Sequence, residues 1–327
     1  MRKNLCFAVF ATSLVLLGIS FSGVQGASPG KVSVPGVAAG LERKATQSSV
    51  QATPESAPAR APRLGVAFDD REIALYLEQQ GRQLFESFPL PKLAFDRRAC
   101  SLTICEPGAE KLPLAQIAAQ AESATLVFGE FYRDGKSKKL GFSTAAGGFL
   151  ISETGVCVTC LHVANEKNSR GLVAMTRDGQ VFPVSAVLAS DPVDDVLVLQ
   201  LDVPAGIKLP KLALATEPAP IGSSIAVMSH PDERFYMLTT GVVARHSVWR
   251  DPAGEEHFMT ITADFAKGSS GCPVLDERGA VVGLVNNTES IYYDDDGKKK
   301  QLDLQMVVKN TTPSWVVRRL IRPPIAP

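Results

Sequence analysis

The chain has 327 residues, 45% of them hydrophobic, which is enough to bury one large core or two smaller ones without metal ions or dense disulfides. Its 34 lysines and arginines balance its 34 aspartates and glutamates. This balance argues against a protein that is drawn by its overall charge to nucleic acid or to an anionic membrane, so we expect no nucleic-acid partner.

Residues 1–26 have the layout of a secretory signal peptide. Arg2 and Lys3 precede an apolar run that ends near Phe21, and small residues precede a cut after Gly26. The alternative is an uncleaved anchor helix, because the apolar run is just long enough to span a membrane. No later stretch is as long and apolar, so we expect an exported protein, periplasmic or secreted, without a membrane span once the signal is removed.

Two further segments precede the main domain. Residues 27–63 are rich in small and polar types and contain no aromatic residue, which predicts a disordered linker. Residues 64–118 are predicted to be a partly helical extension, with an amphipathic helix near Asp70 to Phe88 because apolar residues recur there at helical spacing. We expect this extension to be either a packed prefix or a brake over the cleft of the next domain.

Residues 119–327 are predicted to form an all-β domain, since short β-branched and aromatic runs alternate with turn signals. Asp296-Gly297 predicts a hairpin turn, and Thr312 followed by Pro313 at the first helical position predicts a short terminal helix. The predicted strands are Ala124–Tyr132, Gly148–Ile151, Val156–Leu161, Leu172–Met175, Val196–Leu201, Ile225–Met228, Gly241–Ala244, Met259–Thr262 and Val281–Val285.

Five cysteines remain after the signal segment, so they cannot all form disulfides. Cys100 and Cys105 bracket a short loop and can bridge in an oxidising compartment. Cys157 and Cys160 lie three residues apart in a predicted strand, hence on opposite faces, which disfavours a bridge between them.

These two cysteines with His162 offer an alternative metal or haem site. Haem attachment needs His directly after the second Cys, and zinc needs a fourth ligand, so we expect no cofactor and no metal.

A candidate nucleophile lies in the turn 266–273, which holds two glycines and two serines directly before the apolar residues Val274 and Leu275. Such a turn can aim the Ser270 hydroxyl and nearby backbone N–H groups at one point, as acyl transfer requires. The hydroxyl needs a base, and His162 stands where an apolar strand opens into a polar loop. Asp195, the acid nearest the apolar strand that follows it, is the candidate to orient that base. The other histidines lie in polar, turn-rich settings, where a surface role is the alternative: His230, His246 and His257.

Four ordered blocks resemble the successive motifs of trypsin-like serine proteases. They are Gly147–Ile151, Val158–Val163, Asp191–Leu199 and Gly268–Val274. The order His, Asp, Ser is the chymotrypsin order. Two intervening pieces most resemble the bacterial Deg/HtrA branch: Pro220–Ser223 and Thr240–Val243. The similarity covers roughly residues 120 to 320.

The resemblance implies a chymotrypsin-like double β-barrel and a serine endopeptidase, a hydrolase of protein or peptide substrates. It implies that His162 is general base and then acid, Asp195 orients it, Ser270 attacks, and the N–H groups of Gly268 and Ser270 form the oxyanion hole. A catalytically weak or inactive protease-fold protein, acting as a binding scaffold or chaperone, is the alternative.

For specificity the resemblance leaves two alternatives. Asp264 stands where trypsin keeps the carboxylate that pairs with a basic side chain, and a buried carboxylate there would need such a partner. Otherwise Phe265 and Ala266 define a pocket for small or medium apolar residues, as in Deg/HtrA enzymes. Asn286 and Asn287, in the strand after the nucleophile, are the other expected substrate-binding residues.

Some residues depart from the family pattern. Ser269 replaces the aspartate that receives a new amino terminus in digestive trypsins, so we expect no zymogen activation of that kind. Deg/HtrA proteins usually continue into PDZ domains, and the sequence ends without one, so we expect no activation through its own PDZ domain. Cys272 replaces a common glycine, and Cys160 and Leu161 replace other residues beside the histidine. We expect Cys272 to be a packing residue rather than an alternative nucleophile.

Overall fold

The described residues form mainly β-strands, together with three α-helices. The structure is a computed structural model, and it describes residues 68–87, 99–133, 139–164, 169–295 and 301–322. The helices are α1 (Asp70–Ser87), α2 (Leu114–Ala124) and α3 (Ser314–Leu320). The strands are β1 (Cys100–Ser101), β2 (Thr125–Arg133), β3 (Leu140–Leu150), β4 (Val156–Cys160), β5 (Ser169–Met175), β6 (Val181–Asp191), β7 (Val196–Leu201), β8 (Ser224–Ser229), β9 (Met237–Asp251), β10 (Gly254–Ile261), β11 (Pro273–Leu275), β12 (Val281–Asp295), β13 (Gln301–Pro313) and β14 (Ile321–Arg322).

Twelve of these strands close into two barrels of six strands each. The first barrel has the order β2-β3-β4-β7-β6-β5, and the second has the order β10-β13-β12-β11-β8-β9. Neighbouring strands within each barrel run antiparallel. The predicted double β-barrel is therefore confirmed.

Apolar strand residues form the barrel cores. Phe128, Phe149 and Leu199 are fully buried in the first barrel, and every residue of β4 is buried. A leucine or phenylalanine buried in this way stabilises the fold by about 1.5–3 kcal/mol. The carboxyl end of β4 is thereby fixed, and that end carries the candidate base.

The predicted strands each overlap an observed strand, but no strand was predicted for β1, β6, β11, β13 or β14, and α2 was not predicted. The predicted hairpin agrees with the pairing of Asp295 and Gln301, while its turn at Asp296-Gly297 lies outside the described residues. The predicted helix start is wrong by one residue, because α3 begins at Ser314 and Pro313 precedes it. Thr312 does not cap the helix, since its hydroxyl donates to the Asp194 backbone oxygen at 3.3 Å.

The predicted amphipathic helix is present as α1. Its residues Ile73 and Leu77 are fully buried against the first barrel. The proposed boundary between residues 118 and 119 falls inside α2, which runs directly into β2. The predicted signal peptide and linker, residues 1–63, lie outside the described residues. Among the helices that the structure describes, none has the length and apolarity to cross a membrane.

Candidate active site

His162 and Asp195 form a close pair at the end of the first barrel. β4 leads into a short 3-10 turn, Leu161–Ala164, that carries the histidine. His162 Nδ1 lies 2.5 Å from Asp195 Oδ2, and the His162 backbone N–H donates to Asp195 Oδ1 at 2.8 Å. When the carboxylate accepts a hydrogen bond from Nδ1–H, Nε2 is left as the basic nitrogen. The pair is thus arranged for proton transfer at Nε2.

The two adjacent aspartates of this loop face different partners. Asp195 has a left-handed backbone, with φ 55°, which is costly for a residue with a side chain and marks a constrained position. Asp194 is fully buried and accepts a hydrogen bond from His257 Nδ1 at 3.0 Å. Arg319 of α3 donates to Asp194 and, at 2.7 Å, to Asp191. Helix α3 therefore holds the loop from which Asp195 reaches His162.

The strand that precedes His162 and the turn that carries Ser270 both bond to one backbone oxygen, that of Val285 on β12. It accepts the Cys160 thiol at 3.2 Å, and it accepts the Gly271 N–H at 2.8 Å. Cys160 lies two residues before His162, and Gly271 directly follows Ser270. The structure therefore brings together His162, Asp195 and the turn that carries Ser270.

Gly147 closes the same junction from β3. Its N–H donates to the Ser270 backbone oxygen at 3.0 Å, and its oxygen accepts the Thr159 hydroxyl at 2.8 Å. A Cβ at this position would lie 2.0 Å from Cys272 Sγ, so glycine is required for the close approach. The first resembling block thus contributes packing beneath the turn that carries Ser270, a role that the sequence alone did not assign.

The Ser270 hydroxyl is half-buried and donates to the Asn286 backbone oxygen at 3.4 Å. Among the described residues it makes no hydrogen bond to the His162 ring. Such bonds are often long before substrate binds, and a rotation about the Cα–Cβ bond of Ser270 redirects its hydroxyl. No described residue binds the hydroxyl strongly enough to oppose this rotation.

The backbone N–H groups of Gly268 and Ser270 have no acceptor among the described residues. The Ser269 N–H donates to the Ala266 oxygen at 3.1 Å, which closes a four-residue turn. Gly268 has φ 92°, the value that a type II turn takes at its third residue. Two free N–H groups on one tight turn are what an oxyanion hole requires.

A cleft of about 770 Å³ lies beside His162 and the turn residues Lys267 and Gly268. One of its walls is α1, through Leu75 and Glu78. Neither α1 nor the β2 and β3 residues of the opposite wall were predicted to line a site, because sequence spacing does not show which distant elements meet. Among the described residues of the extension, those of α1 therefore form part of the cleft wall.

Asp264 does not have the buried setting that pairing with a basic substrate side chain would use. Its side chain is 86% exposed and lies 3.4 Å from Lys309 Nζ. The same ammonium group donates to the Phe265 backbone oxygen at 2.8 Å. Asp264 is therefore an exposed carboxylate with a cation of the chain beside it. Phe265, by contrast, is buried.

The other predicted substrate-binding residues, on β12, differ from each other. Asn286 is buried, and its side chain donates to Thr312 Oγ1 at 3.0 Å. Asn287 is exposed, and its side chain donates to Asn286 Oδ1 at 3.0 Å. The Asn286 backbone, rather than its side chain, lies beside Ser270 Oγ.

The cysteine side chains of the described residues are free thiols, including those of Cys100 and Cys105. Burial raises the pKa of the Cys272 thiol and of the Cys160 thiol, so both stay protonated at neutral pH.

Possible metal-ligand atoms lie within 4.8 Å of one another in one group, which consists of Cys160, His162 and Asp195. Cys157 is not in this group. Asp195 binds His162, and the Cys160 thiol donates to the Val285 backbone oxygen.

Two of the other histidines are not surface residues, contrary to the alternative drawn from their polar settings. His230 is buried, and burial lowers its pKa to about 4. Its Nδ1 accepts the Tyr236 N–H at 3.0 Å, so Nε2 carries the proton and donates to the Leu126 oxygen at 3.1 Å. His257 is largely buried beside Asp194, whereas His246 is exposed.

Residues 146–284 match the family model of the trypsin-like peptidase domain. The chain is 26% identical over 162 residues to the serine endoprotease DegS of Salmonella typhimurium, and the match covers 49% of this chain and 44% of that protein. It is 27% identical over 176 residues to the probable periplasmic serine endoprotease DegP-like of Brucella suis, which covers 54% of this chain and 32% of that protein. The matches span less than half the length of these relatives.

Among solved structures, the chain is similar to the HtrA-type protease AlgW with decapeptide, with a TM-score of 0.49, 17% identity, and coverage of 64% of this chain and 66% of that one. The two barrels, the family model and the Deg relatives define the class. Residues 146–284 therefore form a trypsin-like peptidase domain, which is similar to the domains of Deg/HtrA proteases.

Proposed function

We propose that this protein is a serine endopeptidase whose catalytic triad is His162, Asp195 and Ser270. The observation that carries the proposal is the junction at the Val285 oxygen, which joins the His162–Asp195 pair to the Ser270 turn. An inactive scaffold would have no need to keep a histidine–carboxylate pair and a turn with two free N–H groups at one junction.

In the proposed reaction, Ser270 Oγ attacks the scissile carbonyl carbon and its proton passes to His162 Nε2. The Gly268 and Ser270 N–H groups stabilise the oxyanion, and one such donor contributes about 10²–10³ in rate. His162 then gives the proton to the leaving amine, which breaks the peptide bond and leaves an ester on Ser270. Water attacks this ester with His162 again as base, and the acid product leaves.

Digestion of a denatured protein tests the peptidase proposal against the scaffold or chaperone alternative. We expect the purified chain to produce fragments cut at internal bonds, identified by mass spectrometry. Binding of the denatured protein without any new amino terminus would support the scaffold instead.

We propose that the chain cleaves after small or medium apolar residues rather than after Lys or Arg. The support is that Asp264 is exposed and paired with Lys309, while Phe265 is buried beside the serine turn. We expect Asp264→Ala to leave the cleavage profile of a peptide library unchanged, with rates within about twofold of wild type because exposed ion pairs contribute little. A preference for basic residues that disappears in Asp264→Ala would contradict this assignment.

We further propose that the protein is exported to the periplasm. Support comes from the signal-like pattern of residues 1–26 and from the description of the Brucella relative as probably periplasmic. Amino-terminal sequencing of the periplasmic fraction should give Ala27 as the first residue, and a chain that keeps Met1 in the membrane fraction would indicate the anchor alternative.

A further inference from the structure

Helix α1 packs tightly against the first barrel. Ile73 and Leu77 are fully buried, and Gly81 packs so closely that a Cβ would lie 2.9 Å from the Phe131 ring. Because α1 is anchored by this packing, its amino-terminal end can restrain the residues that it contacts.

That end contacts the second barrel, at the loop 230–236 between β8 and β9. The Phe235 N–H donates to Asp70 Oδ1 at 3.0 Å. Phe68 meets Tyr236 edge-on, with ring centroids 6.2 Å apart, and the Arg177 guanidinium lies 5.0 Å and 5.1 Å from the two ring centroids. The contact therefore joins elements that are far apart in sequence.

The loop needs such a hold because its backbone is strained. Asp232, Glu233 and Tyr236 all have positive φ, at 51°, 59° and 59°. Left-handed conformations of residues with side chains persist only where the surroundings impose them. Contacts from outside the loop, such as that of Asp70, therefore help to decide its shape.

The loop in turn holds the oxyanion turn, since the Asp232 N–H donates to the Lys267 backbone oxygen at 2.6 Å. The oxygen and the following N–H of a trans peptide point in opposite directions. With the Lys267 oxygen bound to the loop, the Gly268 N–H points away from the loop.

The turn has an alternative conformation in which only the orientation of the Lys267–Gly268 peptide differs. Between turn types II and I, the dihedral angles on either side of the central peptide change by roughly 150° and 170°, which reverses that peptide. The Lys267 oxygen would then leave Asp232, and the Gly268 N–H would be withdrawn from the hole. Ser269 does not hold the turn through its hydroxyl, which is buried and makes no hydrogen bond to another described residue.

We propose that Asp70 is a positioning residue for the oxyanion hole: through the loop 230–236, helix α1 holds the Lys267–Gly268 peptide in the orientation that presents the Gly268 N–H to the reacting carbonyl. This role rests on the proposed peptidase function. The amino-terminal extension is then neither a brake nor an inert prefix, because it stabilises the active form of the site.

Kinetics of two Asp70 variants test the role. Asp70→Ala removes the acceptor, and we expect kcat to fall about tenfold or more while KM stays within about twofold, since the hole acts on the transition state. Asp70→Asn keeps an oxygen at Oδ1 and should restore kcat to within about threefold of wild type. Asp69→Ala is the matched control, because among the described residues Asp69 Oδ1 accepts only the Arg71 N–H of the helix itself, at 2.9 Å.

Hydrogen exchange of the segment 231–236 gives a second reading that does not depend on turnover. Asp70→Ala should speed its exchange, whereas Asp70→Asn and Asp69→Ala should not. Unchanged kcat and exchange in Asp70→Ala, with an active wild type, overturn this inference alone. Equal losses in Asp70→Ala and Asp69→Ala also overturn it, since they indicate only helix stability. A wild type that neither cleaves nor labels at Ser270 overturns the peptidase function and this role with it.

Discussion

Ser270→Ala is expected to lower kcat for peptide hydrolysis by a factor on the order of 10⁴–10⁶, the loss seen when a serine nucleophile is removed. The substitution removes the atom that forms the acyl-enzyme and leaves only binding and the oxyanion hole. Activity of each purified variant on a peptide substrate measures the effect.

The fold should tolerate this change, which makes the loss interpretable. Within the part of the chain that the structure describes, Ser270 Oγ makes one weak hydrogen bond, at 3.4 Å to the Asn286 oxygen. The thermal midpoint should therefore stay within about 2 °C of wild type. Substantial activity in a Ser270→Ala preparation shown to be free of contaminating protease would mean that another residue is the nucleophile.

His162→Ala is expected to reduce kcat nearly as much, because without Nε2 no group at the junction accepts the Ser270 proton. The double variant with Ser270→Ala should lose little more than either single variant, since the residues act as one unit. Asp195→Asn should cost on the order of 10⁴ in kcat by favouring the wrong histidine tautomer.

The comparison of single and double variants separates a triad from independent contributions. Additive losses, or a His162→Ala protein that retains most of its activity, would contradict the assigned roles. His162 is half exposed, so its removal should leave the barrels folded, and the thermal midpoint is the control.

The fold and the central residues could be predicted because their signals are local and ordered. Alternating apolar runs predicted most of the barrel strands, and the pairing of His162 with Asp195 follows from two motifs that each end or begin a buried strand. The strand β6 was missed because it carries Pro183 and irregular register against β7, which breaks simple alternation. The helix α2 was missed because its buried face is made of Ile117 and small alanines.

Contacts between distant segments could not be predicted. Asp70 and Phe235 are 165 residues apart, and no local pattern marks either as a partner. Asp264 forms an ion pair with Lys309, which lies on β13 and is also distant in sequence. His230 lies in a polar run, yet two backbone groups satisfy its ring and make its burial favourable.

A fluorophosphonate probe tests the central claim most directly, because it reacts only with a serine that is activated as a nucleophile. The probe forms a phosphorus–oxygen bond to Oγ with loss of fluoride, and the proton goes to the base. We predict an adduct on the peptide that contains Ser270 in the wild type, no adduct in Ser270→Ala, and much slower labelling in His162→Ala. A folded wild type that does not react, or that reacts at a different serine, would contradict the assignment of Ser270 as the nucleophile.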